Sequence, residues 1–288
     1  MGYEPYLVQF FNGLSIAAIL ILVGYGLAVI FGMMRIINWA HGEFFMLGAY
    51  VVFVIGEAGG SYWLALLIAP IIVALVGAII ERFLVRHLYK ELLATVLLTW
   101  GLSICLRQLV RLVIGPQWRY IGNPLPGSMT FLGISYPLYR LFIVVLAVAV
   151  MGLVGYLMLK TRFGLYCRAV RQNREMAAAL GVDTDRINLL AFALGTGLAG
   201  LGGAVMAPLV TIQPDMGLSF LGDSFLVVIV GGAGSIMGIV VSALLLAGVR
   251  AILSFSIDPV WSYILVLLFA TVIIRFRPQG LLGTKREE

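Results

Sequence analysis

The chain has 288 residues, 62% of them hydrophobic and only 11% charged, with a mean hydropathy of +1.07, where a soluble domain carries roughly a quarter charged. This composition excludes a soluble globular domain and describes a polytopic membrane protein. The net charge of +6 then belongs to loops facing the cytoplasm and anionic lipid, and implies no nucleic acid.

Residues 1–9 hold no Lys or Arg and so lack the basic start of a cleavable signal peptide; the first apolar segment is expected to remain as a span. Runs long enough to cross roughly 30 Å of hydrocarbon as helix are 7–33, 63–80, 92–114, 141–159, 187–210, 238–255 and 261–274. Two further runs, 44–55 and 220–230, are too short to span comfortably and read as re-entrant or broken helices. The expected fold is therefore all-α and polytopic, with eight or nine crossings, the N-terminus outside and the C-terminus inside.

The first short run is preceded by Asn38-Trp39-Ala40-His41-Gly42-Glu43. Asn38 suits a cap and Glu43 a first turn, where the positive end of the helix dipole favours an acid. His41 and Glu43 also form a polar pair beside a membrane segment, and ionisable groups there default to function. The stretch reads either as a capped helix start at the interface or, with Gly42, as part of a substrate path. A metal is not expected, because His41 has one local co-ligand only. Arg107 and Arg111 lie four apart near one end of the 92–114 run and are expected to snorkel to headgroups rather than meet an anion. The loop 115–139, rich in Pro and Gly, is expected to be irregular and external.

Residues 160–186 are a polar island carrying Lys160, Arg162, Arg168, Arg171, Arg174 and Arg186. Short loops this basic stay in the cytoplasm. Within it, Arg174 to Leu180 are good helix formers and Gly181 stands where a C-terminal cap belongs. Composition alone describes a solvated basic loop with a helical turn; the small Ala177, Ala178 and Ala179 also allow a docking helix. In the next span Gly195, Ala199 and Gly203 repeat at four-residue steps, a pattern that lets membrane helices pack closely. Gly195-Thr-Gly197-Leu-Ala-Gly200 matches a dinucleotide fingerprint only in letters, since no strand precedes it. Asp223, followed by Ser224, is a plausible start for the second short run, which ends in Gly231-Gly232-Ala233-Gly234-Ser235. That glycine run serves close backbone packing or leaves carbonyls free to line a cavity.

The charges agree with this topology. Arg35, Glu81, Arg82, Arg86, His87, Lys90, the 160–186 island, Arg275, Arg277, Lys285 and Arg286 fall on the cytoplasmic side, and Glu4, Glu57, Asp215 and Asp258 on the other, with Arg119 and Arg140 as exceptions. Long span, short segment, span, span occurs over 7–114 and again over 187–274, inverted by the odd span 141–159. Paired short segments in two inverted halves point to a substrate path near the bilayer midplane. Cys105 and Cys167 offer neither a disulfide framework nor metal-site spacing. No Gly-x-x-x-x-Gly-Lys-Ser/Thr loop occurs, so the chain is not expected to be its own ATPase. The absence of an acid or His relay through the spans argues against the rival of an ion-driven secondary transporter.

The segment from Asn38 to Tyr50, Ala177-Ala178-Ala179-Leu180-Gly181, Gly231-Gly232-Ala233-Gly234-Ser235 with Gly238, and Arg277-Pro278-Gln279-Gly280-Leu281 resemble, in order and spacing, the LivH-type permease subunits of ATP-binding cassette importers for branched-chain amino acids and their relatives in urea uptake. The resemblance covers nearly the whole chain and implies one transmembrane permease domain, residues 1–288, with residues 160–187 a cytoplasmic coupling loop. It further implies a heterodimer with a second related permease, two cytoplasmic ATPase subunits that use the ATP, a periplasmic binding protein, residence in the inner membrane, and no cofactor on this chain. Arg174, Glu175, Ala177, Ala178, Ala179 and Gly181 would then couple to the ATPase. The substrate path would draw on Asn38, His41, Gly42, Glu43, Asp223, Ser224, Gly231, Gly232, Gly234 and Ser235, and the binding protein would dock on loops 120–137 and 211–221. Residues 82–93, Thr99-Trp100-Gly101 and residues 171–176 look close to the urea branch, so urea or short amides remain the near alternative to branched-chain amino acids.

Overall fold

The computed structural model describes residues 4–283 apart from 35, 90, 132 and 233. Arg35, Lys90, Lys285 and Arg286 of the basic residues, and Ala233 of the glycine run, lie outside the described residues. Eleven α-helices are present among those described: α1 (Glu4–Met34), α2 (His41–Glu57), α3 (Tyr62–Phe83), α4 (Leu92–Val113), α5 (Leu138–Lys160), α6 (Arg162–Gln172), α7 (Arg174–Ala179), α8 (Thr184–Met206), α9 (Met216–Gly231), α10 (Ile236–Ser256) and α11 (Pro259–Phe276). Seven of them are long and apolar enough to cross a membrane, and α2 and α9, with 17 and 16 residues, are the two short ones. The chain is thus an all-α polytopic membrane protein. Where the sequence expects an irregular loop after α4, the structure has a small antiparallel hairpin, β1 (Ser128–Phe131) with β2 (Ile134–Pro137). It is held by the buried Tyr136, whose hydroxyl meets Ser15 at 2.9 Å.

Helix α8 is the axis of the bundle, and its small residues set the geometry. A Cβ placed at Gly195 would lie 2.6 Å from the Gly26 carbonyl of α1, one at Gly200 2.7 Å from Val73 of α3, and one at Gly203 1.8 Å from the Phe45 carbonyl of α2. Ala199 is buried beside Gly26 on the same face as Gly195. Only residues without bulk permit three helices to approach so closely. The pairings also give direction. Ile30 meets Gly195 while Val23 meets Gly202, so α1 and α8 are antiparallel; Gly77 meets Thr196 while Tyr62 bonds Ala204, so α3 and α8 are antiparallel too. Gly13 on Ala251 and Gly32 on Gly234 make α10 antiparallel to α1.

These contacts come in matched pairs. Helix α3 lies on α8 as α10 lies on α1, α2 on α3 as α9 on α10, and α2 on α4 as α9 on α11. Helices α1–α4 and α8–α11 are therefore two copies of one arrangement in opposite orientation, with α5 between them. One end of the bundle carries α6 and α7 and is called here the basic end. The far end carries the hairpin and a belt of Tyr62, Trp63, Tyr139 and Phe142 in edge and tilted contact, with Tyr62 and Tyr139 hydroxyls 2.7 Å apart.

Candidate functional site

Helix α2 begins deep in the bundle. Its His41 Nε2 lies 3.1 Å from the Val23 carbonyl of α1, which is about 16 Å back from the end of α1 at 1.5 Å per residue. Residues 36–40 therefore lie within the bundle without helix, and their polar backbone needs partners there. Asn38 and Thr99 supply them: Asn38 Oδ1 accepts from Ala40 N at 3.0 Å, Thr99 Oγ1 accepts from Trp39 N at 3.2 Å, and it donates to Ile37 O at 3.3 Å. Asn38 thus braces the turn before the helix, while the N-cap position itself is Ala40, a correction to its expected role.

Helix α9 enters from the opposite direction and starts at Met216, so Asp223 lies in the middle of the helix rather than at its beginning. The two half-helices meet at their first turns. A Cβ at Gly42 would sit 2.2 Å from the Gly217 carbonyl, and one at Gly217 would sit 2.4 Å from the Gly42 carbonyl. Backbone lies directly on backbone at this spot, and the two helices overlap antiparallel, with Trp39 against Phe225 and Phe45 stacked on Phe220.

Around that spot α4 presents a polar face. Thr95, Thr99, Ser103, Arg107 and Arg111 recur every four residues and so share one side of the helix. Ser103 Oγ donates to Glu43 Oε1 at 2.8 Å. Arg107 lies 3.2 Å from Glu43 Oε1 and 3.5 Å from Asp215, and Arg111 lies 2.5 Å from Asp215. Both arginines thus meet carboxylates rather than headgroups alone, Arg107 turning inward to the buried Glu43 and Arg111 pairing with Asp215 where both remain partly exposed. The Arg107–Glu43 pair is largely withdrawn from water, where leaving either charge alone costs far more than pairing it, whereas Arg111 and Asp215 pair at a partly exposed position. Glu43 is fully buried, yet its Oε2 has no hydrogen-bond partner. His41 points to α1 and Glu43 to α4 and α9, so they are not a pair with each other.

The other expected path residues lie apart from this junction. Asp223 pairs with Arg250 of α10 at 2.9 Å, and Ser224 Oγ donates back to Phe220 O at 2.6 Å. Gly231, Gly232, Gly234 and Ser235 form the turn from α9 to α10 at the basic end. Ser235 caps α10 through Gly238 N at 3.0 Å, and a Cβ at Gly231 would lie 2.6 Å from Gly238 O. Gly232 and Gly234 have φ of +98° and +88°, which glycine adopts without strain. The C-terminal segment docks here through Leu281 N to Val230 O at 2.8 Å, and the Arg171 guanidinium lies against Gly234.

At the basic end the 160–187 loop holds two helices, where the sequence points to one. Thr161 caps α6 and Asn173 caps α7, the latter through Met176 N at 2.9 Å. Phe163, Cys167 and Val170 pack on Met33, Met158, Ala177, Val182 and Ile187 in a small core of their own, and burial pushes the Cys167 thiol up to about 12. Ala177 therefore faces inward, while Glu175, Ala178 and Ala179 face solvent together with the apolar Met176 and Leu180, which the sequence reading passes over. Gly181 ends the helix at φ +84°, its N–H bonding Ala178 O at 2.9 Å. Arg174 is turned back on its own chain: it bonds Asp185 at 2.6 Å and lies 5.2 Å over the Tyr89 ring, whose hydroxyl donates to the buried Glu81. Among the described residues no cluster of His, Cys, Asp and Glu with metal-binding geometry occurs.

The sequence profile of the family described as the permease component of branched-chain amino acid transport systems matches residues 9–274. The chain belongs to that family. As a permease it is 28% identical to the high-affinity branched-chain amino acid transport system permease protein LivH of Salmonella typhimurium, over 98% of this chain and 97% of that one. It is 30% identical to the corresponding protein BraD of Pseudomonas aeruginosa, again over 98% and 97%. The permease protein LivM of Escherichia coli is 26% identical over 95% of this chain and 70% of its own length. No solved structure matches the permease.

Proposed function

We propose that this permease moves branched-chain amino acids inward across the bacterial inner membrane as one transmembrane subunit of an ATP-binding cassette importer. The observation that carries this is similarity along almost the full chain to permease proteins of high-affinity branched-chain amino acid transport. Similarity to both LivH and LivM, each named as a permease protein of such a system in Escherichia coli, supports pairing with a second related permease. Two ATPase subunits at the basic end and a binding protein at the far end complete the assembly. The basic end is cytoplasmic by the charge rule for short loops.

On this reading α7 docks on the ATPase through Glu175, Met176, Ala178, Ala179 and Leu180. Closure of the ATPase dimer would move α7, and Arg174 would pass the motion to α8 through Asp185 and to the α3–α4 turn through Tyr89. The α2–α9 junction would lie on the substrate path, opening alternately to each side. Loops 120–137 and 207–215 would receive the binding protein; the second is shorter than the sequence suggests, because α9 starts at Met216. The bridge between Arg119 and Ile212, bonded at 3.0 and 2.9 Å, ties the two regions together.

The test is uptake of labelled leucine and labelled urea by cells lacking their own systems and supplied with this permease and its partner genes. Leucine uptake that disappears when the ATPase is inactivated is the expected result. Uptake of urea alone, or leucine uptake that survives without the ATPase, overturns the reading.

A further inference from the structure

We propose that the polar face of α4 and the α2–α9 junction form an ion-pair exchange path for a zwitterionic α-amino acid, with Arg111 and Asp215 at its mouth and Arg107 and Glu43 at its deep end. The proposal rests on the importer reading above and identifies which groups of the substrate are handled and by which side chains.

Four charges stand in alternating order, Arg111, Asp215, Arg107, Glu43, at successive separations of 2.5, 3.5 and 3.2 Å. The outer pair is partly exposed, with side chains 40% and 47% accessible at Arg111 and Asp215, and the inner pair is enclosed, with 18% and 1% at Arg107 and Glu43. At the partly exposed outer pair water can solvate a group left unpaired, but a solute bearing a single charge would strand Arg107 or the buried Glu43 at the inner pair, which is costly away from water. A zwitterion would not. Its carboxylate takes the place of Asp215 on Arg111 while its ammonium takes the place of Arg111 on Asp215, and the same exchange repeats one step deeper on Arg107 and Glu43.

The inner end has an acceptor in waiting. Ser103 and Arg107 both address Glu43 Oε1, while Oε2 is buried without a donor, close enough to Gly217 that a Cβ there would lie 3.0 Å away. Buried carboxylate oxygens are almost always satisfied, and an ammonium carries three donors suited to this one. The complementary carboxylate has the Arg107 guanidinium, which lies 3.2 Å from Glu43 Oε1. Apolar surface for an aliphatic side chain lies alongside, where Trp39, joined to α4 through Thr99, packs on Phe225 with ring centres 6.2 Å apart.

The experiment uses the complete complex of this permease, its partner permease, the ATPases and the binding protein in liposomes, and measures leucine uptake together with the ATP hydrolysis that leucine-loaded binding protein stimulates. Glu43→Gln is expected to lower uptake at least tenfold and Arg111→Gln several-fold, with stimulated hydrolysis kept, while Glu43→Asp restores part of the uptake and Arg140→Gln, at the far end but away from the series, changes nothing. Ser103→Cys, with Cys105 and Cys167 replaced by Ser, is expected to react with a cationic thiosulfonate reagent more slowly while leucine is being transported. Assembled complexes of Glu43→Gln and Arg111→Gln that transport like the wild type overturn the proposal, as does parallel loss of uptake and stimulated hydrolysis, the mark of a purely structural role. If Glu43→Gln does not assemble, Arg111→Gln and Asp215→Asn, both at exposed positions, decide by the same criteria. A wild-type complex that hydrolyses ATP on binding-protein addition but moves no leucine overturns the importer reading itself, and the exchange path with it.

Discussion

At Gly42 and Gly217 two helices touch through carbonyl oxygens, and a methyl group on either has no space to enter. Gly217→Ala is expected to force the half-helices apart and destabilise the protein by about 1–3 kcal/mol, the usual cost of overpacking. Gly152→Ala is the contrasting case: nothing lies within 4 Å of a Cβ there, so losing a helical glycine should stabilise α5 by roughly 0.5–1 kcal/mol. Thermal unfolding of the purified variants in detergent checks both signs. Cys167 provides a residue-scale probe of the loop. Because burial raises its thiol to about 12, the reactive thiolate is scarce at every pH well below that value. In a Cys105→Ser protein, maleimide labelling at pH 8 should therefore be negligible until the loop unfolds; rapid labelling of the native protein would show that the small core around Cys167 does not form.

At the scale of elements, α7 is a six-residue helix that cannot stand alone. It is held by the Asn173 cap, by Ala177 in the small core, and by Arg174 on Asp185 and Tyr89. Its outward face is free for contact. Ala178→Glu adds charge to that face, and Gly181→Arg puts a bulky side chain at a positive φ. Both should leave the permease folded in the membrane yet uncouple ATP hydrolysis from uptake. Arg174→Gln should uncouple partially, by loosening α7 from α8 rather than by altering the docking face. The ratio of leucine transported to ATP hydrolysed, measured in liposomes, separates these outcomes from simple loss of activity, and an unchanged ratio in Ala178→Glu would remove α7 from the coupling role. Helix α7 is legible in sequence because its formers run unbroken to Gly181. Helix α6 is hidden by its arginines: the apolar Phe163, Cys167 and Val170 keep helical spacing, but a window dominated by positive charge reads as a solvated loop. The α4 face is hidden for the opposite reason. Its hydroxyls look neutral in an apolar run, and only the fold brings Glu43 and Asp215, from 60 and 104 or more residues away, against them.

For the whole molecule, length and hydropathy disclose the spans, since hydrocarbon thickness alone dictates how long an apolar helix must be. They do not disclose where a short helix begins, because that depends on Asn38 and Thr99 satisfying backbone in the interior and on Gly217 leaving room for Gly42. The structure leads α2 from the centre to the far end, where Tyr62 of α3 meets Ala204, so the segment 36–57 completes a crossing as a non-helical stretch followed by helix. Residues 207–231 cross in the same way through α9, so with the seven long helices the described residues make nine crossings, and α1 begins on the side opposite to that where α11 ends. Cysteines placed at the exposed Ala58 and Asn123 should react with a membrane-impermeant reagent in intact spheroplasts, and one at the exposed Glu175 only after lysis. A truly re-entrant α2, returning to the side it came from, would put Ala58 with Glu175 and reverse the direction of α3. That outcome would break the antiparallel packing of α3 on α8, on which the glycine contacts of α8 depend.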